Sequence, residues 1–285
     1  MLRIPVLAVL LGLTVLGSLA RGQAYVPEDN LAYPVQVLVA DAGGTGFFVR
    51  KDQNLFLVTA RHVVYDIVKR ELAPEFTLRA LSKDVHETAV TVMHVNAAQM
   101  QGAKQIRMDE PRDVAVVRLA TLKPGGMDTT AGVVVSERSK GGIITAPFAY
   151  LTRFADVDVS SQIFMFGYPS IGVKGYSQID PTRPLVRSGI VSGVNARLKT
   201  IIIDAPVYHG NSGGPVVQLS RTNRLRIIGI ATQFVPVAED VLPLNRLETP
   251  PQGAQSSAPT VMALGNSGYG VVASADAIID LIDSF

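Results

Sequence analysis

Short apolar runs separated by turn residues dominate the chain. The runs at 35–40, 46–50, 55–59, 89–95, 114–119, 163–166, 185–194, 200–205, 214–219, 225–231 and 268–273 are rich in Val, Ile, Thr and Phe, side chains that suit a pleated, half-buried surface. Many short strands at this spacing predict β-barrels or a sandwich. Only the C-terminus reads firmly as helix. There Ser274 is placed to cap the first turn, Asp276 lies near the positive end of the helix dipole, and Ile278, Leu281 and Ile282 make one apolar stripe. Apolar periodicity weakens across 122–146, a stretch with Pro and Gly that is expected to connect two strand-rich halves. The segment 236–259, with Pro236, Pro243, Pro250, Pro251 and Pro259, is expected to be a long surface loop.

The N-terminus departs from this pattern. Met1-Leu2-Arg3 gives a positive start, 4–19 is an apolar run, and the small residues Ala20 and Ala24 follow. This is the arrangement of an export signal, assigned to 1–24, and cleavage after either Ala20 or Ala24 satisfies a peptidase that requires small residues. The run falls short of the ~20 residues that span a bilayer comfortably. It is also interrupted by Gly12, Thr14, Gly17 and Ser18, so removal is expected, with membrane anchoring the outcome if the segment is kept. No integral membrane association is expected after removal, because no later segment is long and apolar enough. The remainder, 25–285, is read as one domain, with a first half at about 30–125 and a second at about 145–285.

Composition narrows the function classes. With 47% hydrophobic residues in 285, the chain can bury a full core. A net charge of +2 without clustered Lys and Arg argues against nucleic acid as a partner. The chain has no cysteine, which excludes disulfides, thiolate chemistry and Cys-based zinc sites. None of its four histidines forms an HExxH pair, so no metal is expected. An exported protein without disulfides fits a bacterial periplasm or secretion into the medium.

Candidate chemistry begins at Gly210-Asn211-Ser212-Gly213-Gly214-Pro215, a serine in a glycine-rich turn. The amides of Gly210 and Ser212 can converge there on an oxygen that becomes negative during acyl transfer. A serine hydroxyl needs a base to become a nucleophile. Upstream, Leu57-Val58-Thr59-Ala60-Arg61-His62-Val63-Val64 places an imidazole at the end of an apolar strand. The imidazole needs an orienting acid, and Asp113 heads the otherwise apolar Val114-Ala115-Val116-Val117, where a carboxylate is costly unless paired. Asp109 is the reserve candidate.

In the order His, Asp, Ser, these phrases resemble the trypsin-like serine protease superfamily, and more closely its disulfide-free bacterial HtrA-type branch. Further matches are Gly44-Thr45-Gly46-Phe47, Gly167-Tyr168-Pro169, Ser188-Gly189-Ile190-Val191-Ser192, Asp204-Ala205 and Gly229-Ile230-Ala231-Thr232. The resemblance implies an all-β fold of two packed six-stranded antiparallel barrels with a C-terminal helix. It also implies His62, Asp113 and Ser212 as a catalytic triad between the barrels, and Gly210 and Ser212 as the oxyanion hole. Asn211 stands where zymogen-type relatives carry an Asp, so activation by a freed N-terminus is not expected. The remaining chain is too short for a PDZ domain, so peptide sensing through one is not expected either.

An exported serine endopeptidase follows as the expected function. Its partners would be protein or peptide substrates, it would need no cofactor, and its oligomeric state is left open. The pocket for the residue before the scissile bond is expected near Pro206, His209, Gly229, Ile230, Ala231 and Thr232. It has no anionic floor, so small or medium apolar side chains are expected over Arg or Lys. An esterase of the α/β-hydrolase type needs a histidine downstream of its serine, yet all four histidines precede Ser212. The other alternative is a latent or inactive protease-like fold that acts as a secreted binding module.

Overall fold

The computed structural model describes residues 28–40, 42–169, 179–220, 224–241 and 261–285. The export signal at 1–24 and residues 242–260 of the Pro-containing segment lie outside the described residues. The first half contains β1 (Pro34–Val39), β2 (Ala42–Lys51) and β3 (Asn54–Ala60), followed by a single helical turn, α1 (Arg61–Val64). A small hairpin, β4 (Tyr65–Asp66) and β5 (Glu71–Leu72), comes next. Then follow β6 (Glu75–Leu81), β7 (Val90–Asn96), α2 (Ala97–Gly102), β8 (Ile106–Asp109), β9 (Val114–Lys123), β10 (Gly126–Thr129) and β11 (Val133–Glu137).

These strands form one curled sheet in the order β10-β9-β3-β2-β1-β6-β7-β11, with β8 paired to β9 and β12 (Ala146–Pro147) lying parallel to β2. The first half is thus a half-barrel sheet: among the described strands, β10 and β11 end the path without pairing to each other. The chain passes from β10 to β11 through 130–132 alone. Strands also occupy part of the stretch 122–146 that reads as a connection.

The second half is a closed antiparallel barrel. It contains β13 (Gln162–Gly167), β14 (Leu185–Asn195), β15 (Thr200–Asp204), β16 (Pro215–Leu219), β17 (Leu225–Val241) and β18 (Val261–Ser274), in the order β13-β14-β15-β18-β17-β16. The two longest strands overrun the barrel. Pro236 to Val241 pairs with Val261 to Asn266 as a two-stranded ribbon, so the start of the expected surface loop is strand. Pro236 fits because it sits at a register shift, where its missing N–H costs no ladder bond.

Alternation along the strands sorts the apolar residues into three cores. Phe48 and Leu57 point into the first half with Leu78, Met93 and Val117. Ile163, Met165, Val191, Ile203, Val216 and Val272 fill the second. Their strand neighbours Phe47, Val58, Val116, Phe164, Phe166 and Ile230 point the other way, into a seam shared by both halves. The closing helix, α3 (Ala275–Asp283), buries Ile278, Ile279 and Ile282 against that seam.

Helix α3 is fixed to both halves by charge as well. Asp276, only 4% exposed, faces Arg153 at 3.4 Å and Lys199 at 3.5 Å, and Asp280 accepts from Arg112 at 3.0 Å. The expected side-chain cap is not made: the Ser274 hydroxyl is buried and has no hydrogen-bond partner among the described residues. Among the described residues, no helix is long and apolar enough to cross a membrane.

Candidate active site

The histidine sits on the turn that ends β3. Its backbone N–H donates to Asp113 Oδ1 at 3.0 Å, and its Nδ1 lies 2.6 Å from Asp113 Oδ2. An ionised carboxylate only accepts, so the shared proton belongs to Nδ1 and the Nε2 lone pair is left free. Asp113 reaches both atoms because its backbone is left-handed, φ 57°, a conformation that Asp and Asn tolerate better than most residues. Its carbonyl also accepts from the Arg61 N–H at 3.0 Å. The reserve acid Asp109 is committed elsewhere. It accepts from the backbone N–H and the Nε of Arg112, each at 2.8 Å.

Ser212 enters from the second half. Its loop is closed by reciprocal bonds: the Asn211 N–H donates to the Tyr208 carbonyl at 2.9 Å, and the Tyr208 N–H to Asn211 Oδ1 at 3.1 Å. Gly210 is the third residue of that turn, with φ +87°. A turn with positive φ at this position is of type II, which glycine adopts without strain. Neither the Gly210 N–H nor the Ser212 N–H has an acceptor among the described residues, although Gly210 is buried. Two unused amides on one tight loop are the arrangement that a developing oxyanion needs.

His62, Asp113 and Ser212 line one cavity of about 640 Å³ between the halves. The Ser212 hydroxyl is directed to the Thr232 carbonyl at 3.5 Å, a weak bond at that length. It makes no hydrogen bond to His62 among the described residues. In serine–imidazole pairs this contact often tightens only when substrate is seated.

The sequence-predicted pocket residues divide. His209 and Thr232 line the cavity beside Ser212, whereas Pro206, Gly229, Ile230 and Ala231 do not. Ile230 and Ala231 are fully buried in the barrel and seam cores. Gly229 is pressed between β16 and β18. Ala231 instead holds the Ser212 loop through its backbone, accepting from the Gly213 N–H at 2.7 Å and donating to the Gly214 carbonyl at 2.9 Å.

Sequence reasoning missed several of the walls. Val207, Tyr208 and Phe234 stand on the serine side, Ile67 and Pro111 on the histidine side, and Leu264 reaches in from the ribbon. The Phe234 ring meets His209 edge-on, with 6.1 Å between ring centres. Ile67 is 61% exposed on the β4–β5 turn, which Asp66 ties by accepting from the Val68 and Lys69 N–H groups at 2.9 and 3.0 Å. Those bonds, the Lys69 one foremost, hold the Asp66 carboxyl below its ordinary range. No group of three His, Asp or Glu residues that could hold a metal ion occurs among the described residues.

Two β units sharing a cleft that holds a serine, an imidazole and a carboxylate make up the architecture of the trypsin-like peptidases. The family model of the trypsin-like peptidase domain matches residues 44–230, and the chain belongs to that family. Among solved structures the chain is similar to a human heparin binding protein, at 10% identity over 93% of this chain and 95% of that one, with a TM-score of 0.54. That likeness shows the shared fold. Two other similar structures are a Glu endopeptidase in complex with MPD (15% identity, 92% and 94% covered, TM-score 0.48) and the HtrA-type protease AlgW with a tripeptide (16% identity, 90% and 63% covered, TM-score 0.48). A comparison with curated protein sequences finds no match.

Proposed function

We propose that this protein is an exported serine endopeptidase that cleaves peptide bonds through an acyl-enzyme formed on Ser212. The observation that carries the reading is the meeting of Ser212 with the 2.6 Å His62–Asp113 pair in one cleft. His62 Nε2 takes the Ser212 proton as Oγ attacks the scissile carbonyl. The oxyanion is bound by the Gly210 and Ser212 amides, and Asp113 stabilises the imidazolium. His62 then protonates the leaving amine, and afterwards it activates the water that releases the acyl group.

The walls beside Ser212 carry no acidic side chain among Val207, Tyr208, His209, Thr232, Gln233 and Phe234. This supports a preference for small or medium apolar residues before the cleaved bond rather than Arg or Lys. One observation favours a second reading, a latent enzyme or binding module: the Ser212 hydroxyl is turned to the Thr232 carbonyl rather than to His62.

Labelling by a fluorophosphonate separates the two. A single adduct by intact mass, absent from Ser212→Ala, is expected of the active protein, whereas a folded protein that refuses the probe belongs to the second reading. Export has its own check. The mature protein recovered from cells is expected to begin at Arg21 or Tyr25, and a mass that retains Met1 would count against removal of the signal.

A further inference from the structure

We propose that Thr45 is a positioning residue that holds the Gly210 turn in the form that accepts an oxyanion. The proposal rests on the roles given above to Ser212 and Gly210 and adds what keeps them in place. Thr45 belongs to the first half, on β2, and is fully buried. Its hydroxyl donates to the Gly210 carbonyl at 2.6 Å and accepts from the Tyr168 N–H at 2.9 Å. Its own N–H donates to the Ser212 carbonyl at 2.8 Å, and its carbonyl accepts from the Thr59 hydroxyl at 2.7 Å. One residue thus fixes the Gly210–Asn211 and Ser212–Gly213 peptides and ties them to the strand that leads into His62.

A loop of this kind can lose its function without unfolding. If the peptide groups around Gly210 rotate, the turn no longer needs positive φ, and the Gly210 N–H leaves the side on which the Ser212 N–H lies. The Gly210 N–H belongs to the His209–Gly210 peptide, and the residue is anchored through the next peptide, whose carbonyl, that of Gly210, has the Thr45 hydroxyl as its only partner among the described residues. A rotation that carries Gly210 as a whole has to displace that carbonyl. Moving it would strip an acceptor from a buried hydroxyl and weaken the only bond that the Tyr168 amide makes among the described residues, a costly exchange in a site closed to water. Space reinforces the restraint. A Cβ on Gly44 would meet the Val63 side chain at 2.6 Å, and one on Gly46 would meet the Val58 carbonyl at 2.7 Å, so Thr45 is clamped between two positions with no room for a side chain. The two halves of the site therefore stay in register through a residue that touches no substrate.

The test compares Thr45→Val, which keeps the shape and removes the hydroxyl, with Thr45→Ser, which keeps the hydroxyl. Thr45→Ala set against Thr45→Ser isolates the same oxygen should valine fail to fold. Amide hydrogen exchange at Tyr168 and across 208–213 reads the latch without requiring turnover. Exchange there is expected to rise at least about tenfold in Thr45→Val and to stay near wild type in Thr45→Ser. On a peptide substrate, Thr45→Val is expected to lower kcat about 10²-fold, the scale of losing one oxyanion donor. KM should stay within about threefold, since ground-state contacts are untouched. Unchanged exchange and kcat in Thr45→Val would overturn the proposal, as would a loss that serine does not restore. Wild-type protein that neither turns over nor labels, but whose exchange responds to Thr45→Val, would keep the latch and overturn the catalytic reading instead.

Discussion

Asp113→Asn is expected to cut kcat about 10⁴-fold, the size this exchange has in triads of the same construction, while the protein stays folded. The geometry explains both halves of that expectation. Asn tolerates the left-handed backbone of φ 57° as Asp does, and its Oδ1 can still accept the His62 N–H now bonded at 3.0 Å. What changes is the second atom. Asp113 Oδ2, 2.6 Å from Nδ1, is replaced by an NH₂ group that donates. The imidazole answers by presenting its Nδ1 lone pair, which moves the ring proton to Nε2 and removes the base that Ser212 needs. KM should remain within about threefold, because Asp113 binds the imidazole and not the substrate. Steady-state kinetics with thermal unfolding on the same samples decides it, and NMR of the ring protons reports the tautomer. Asp109→Asn serves as the control. Its carboxylate is engaged with Arg112, and a comparable loss from that variant would mean that the acid has been assigned to the wrong residue.

The choice between Asp109 and Asp113 shows how far the residues alone can be read. Both head the same apolar strand region, and the order His, Asp, Ser is the same with either. Only the backbone turn at 110–113 decides which carboxylate looks toward His62 and which toward Arg112. Apolar runs locate most strands because alternation survives in them. They fail where both faces of a strand are covered. Along 229–231 the run looks like a pocket wall, yet Ile230 faces the seam and Ala231 the barrel interior, so neither is free to meet a ligand.

Strand β6 escapes the pattern for the opposite reason. It alternates cleanly, with Phe76, Leu78 and Ala80 buried, but Glu75 and Arg79 give it the look of a surface segment. The ribbon at 236–241 is hidden by Pro236, which reads as loop until the register shift beneath it is seen. Thr45 carries a local signal in the glycines on either side of it. Its role, however, depends on a carbonyl 165 positions away, which no window of sequence contains.

Gly213→Ala is expected to abolish labelling of Ser212 and to lower stability by about 4 kcal/mol or more, in the range reserved for single changes with a specific structural cause. Two effects add. Gly213 has φ +83°, and an alanine there pays about 1–2 kcal/mol for the left-handed backbone. The larger effect is steric. A Cβ would lie 2.7 Å from the Ala60 nitrogen and closer still to the Thr45 carbonyl and the Thr59 hydroxyl, all of them buried groups of the first half at the seam. Either β2 and β3 retreat, breaking the Thr45 bonds to Gly210 and Ser212, or the loop retreats and takes Ser212 out of line with His62. The Gly213 N–H, bonded to the Ala231 carbonyl at 2.7 Å, resists the second movement from the barrel side. Gly125→Ala isolates the conformational part, because Gly125 has φ +78° but a methyl group added there would meet nothing within 4 Å. It should cost no more than about 1–2 kcal/mol and leave labelling intact. Urea unfolding of both variants beside wild type separates the contributions. If Gly213→Ala proves no worse than Gly125→Ala, the seam at the nucleophile loop is looser than these contacts require, and a rigid, permanently formed oxyanion site would have to be given up.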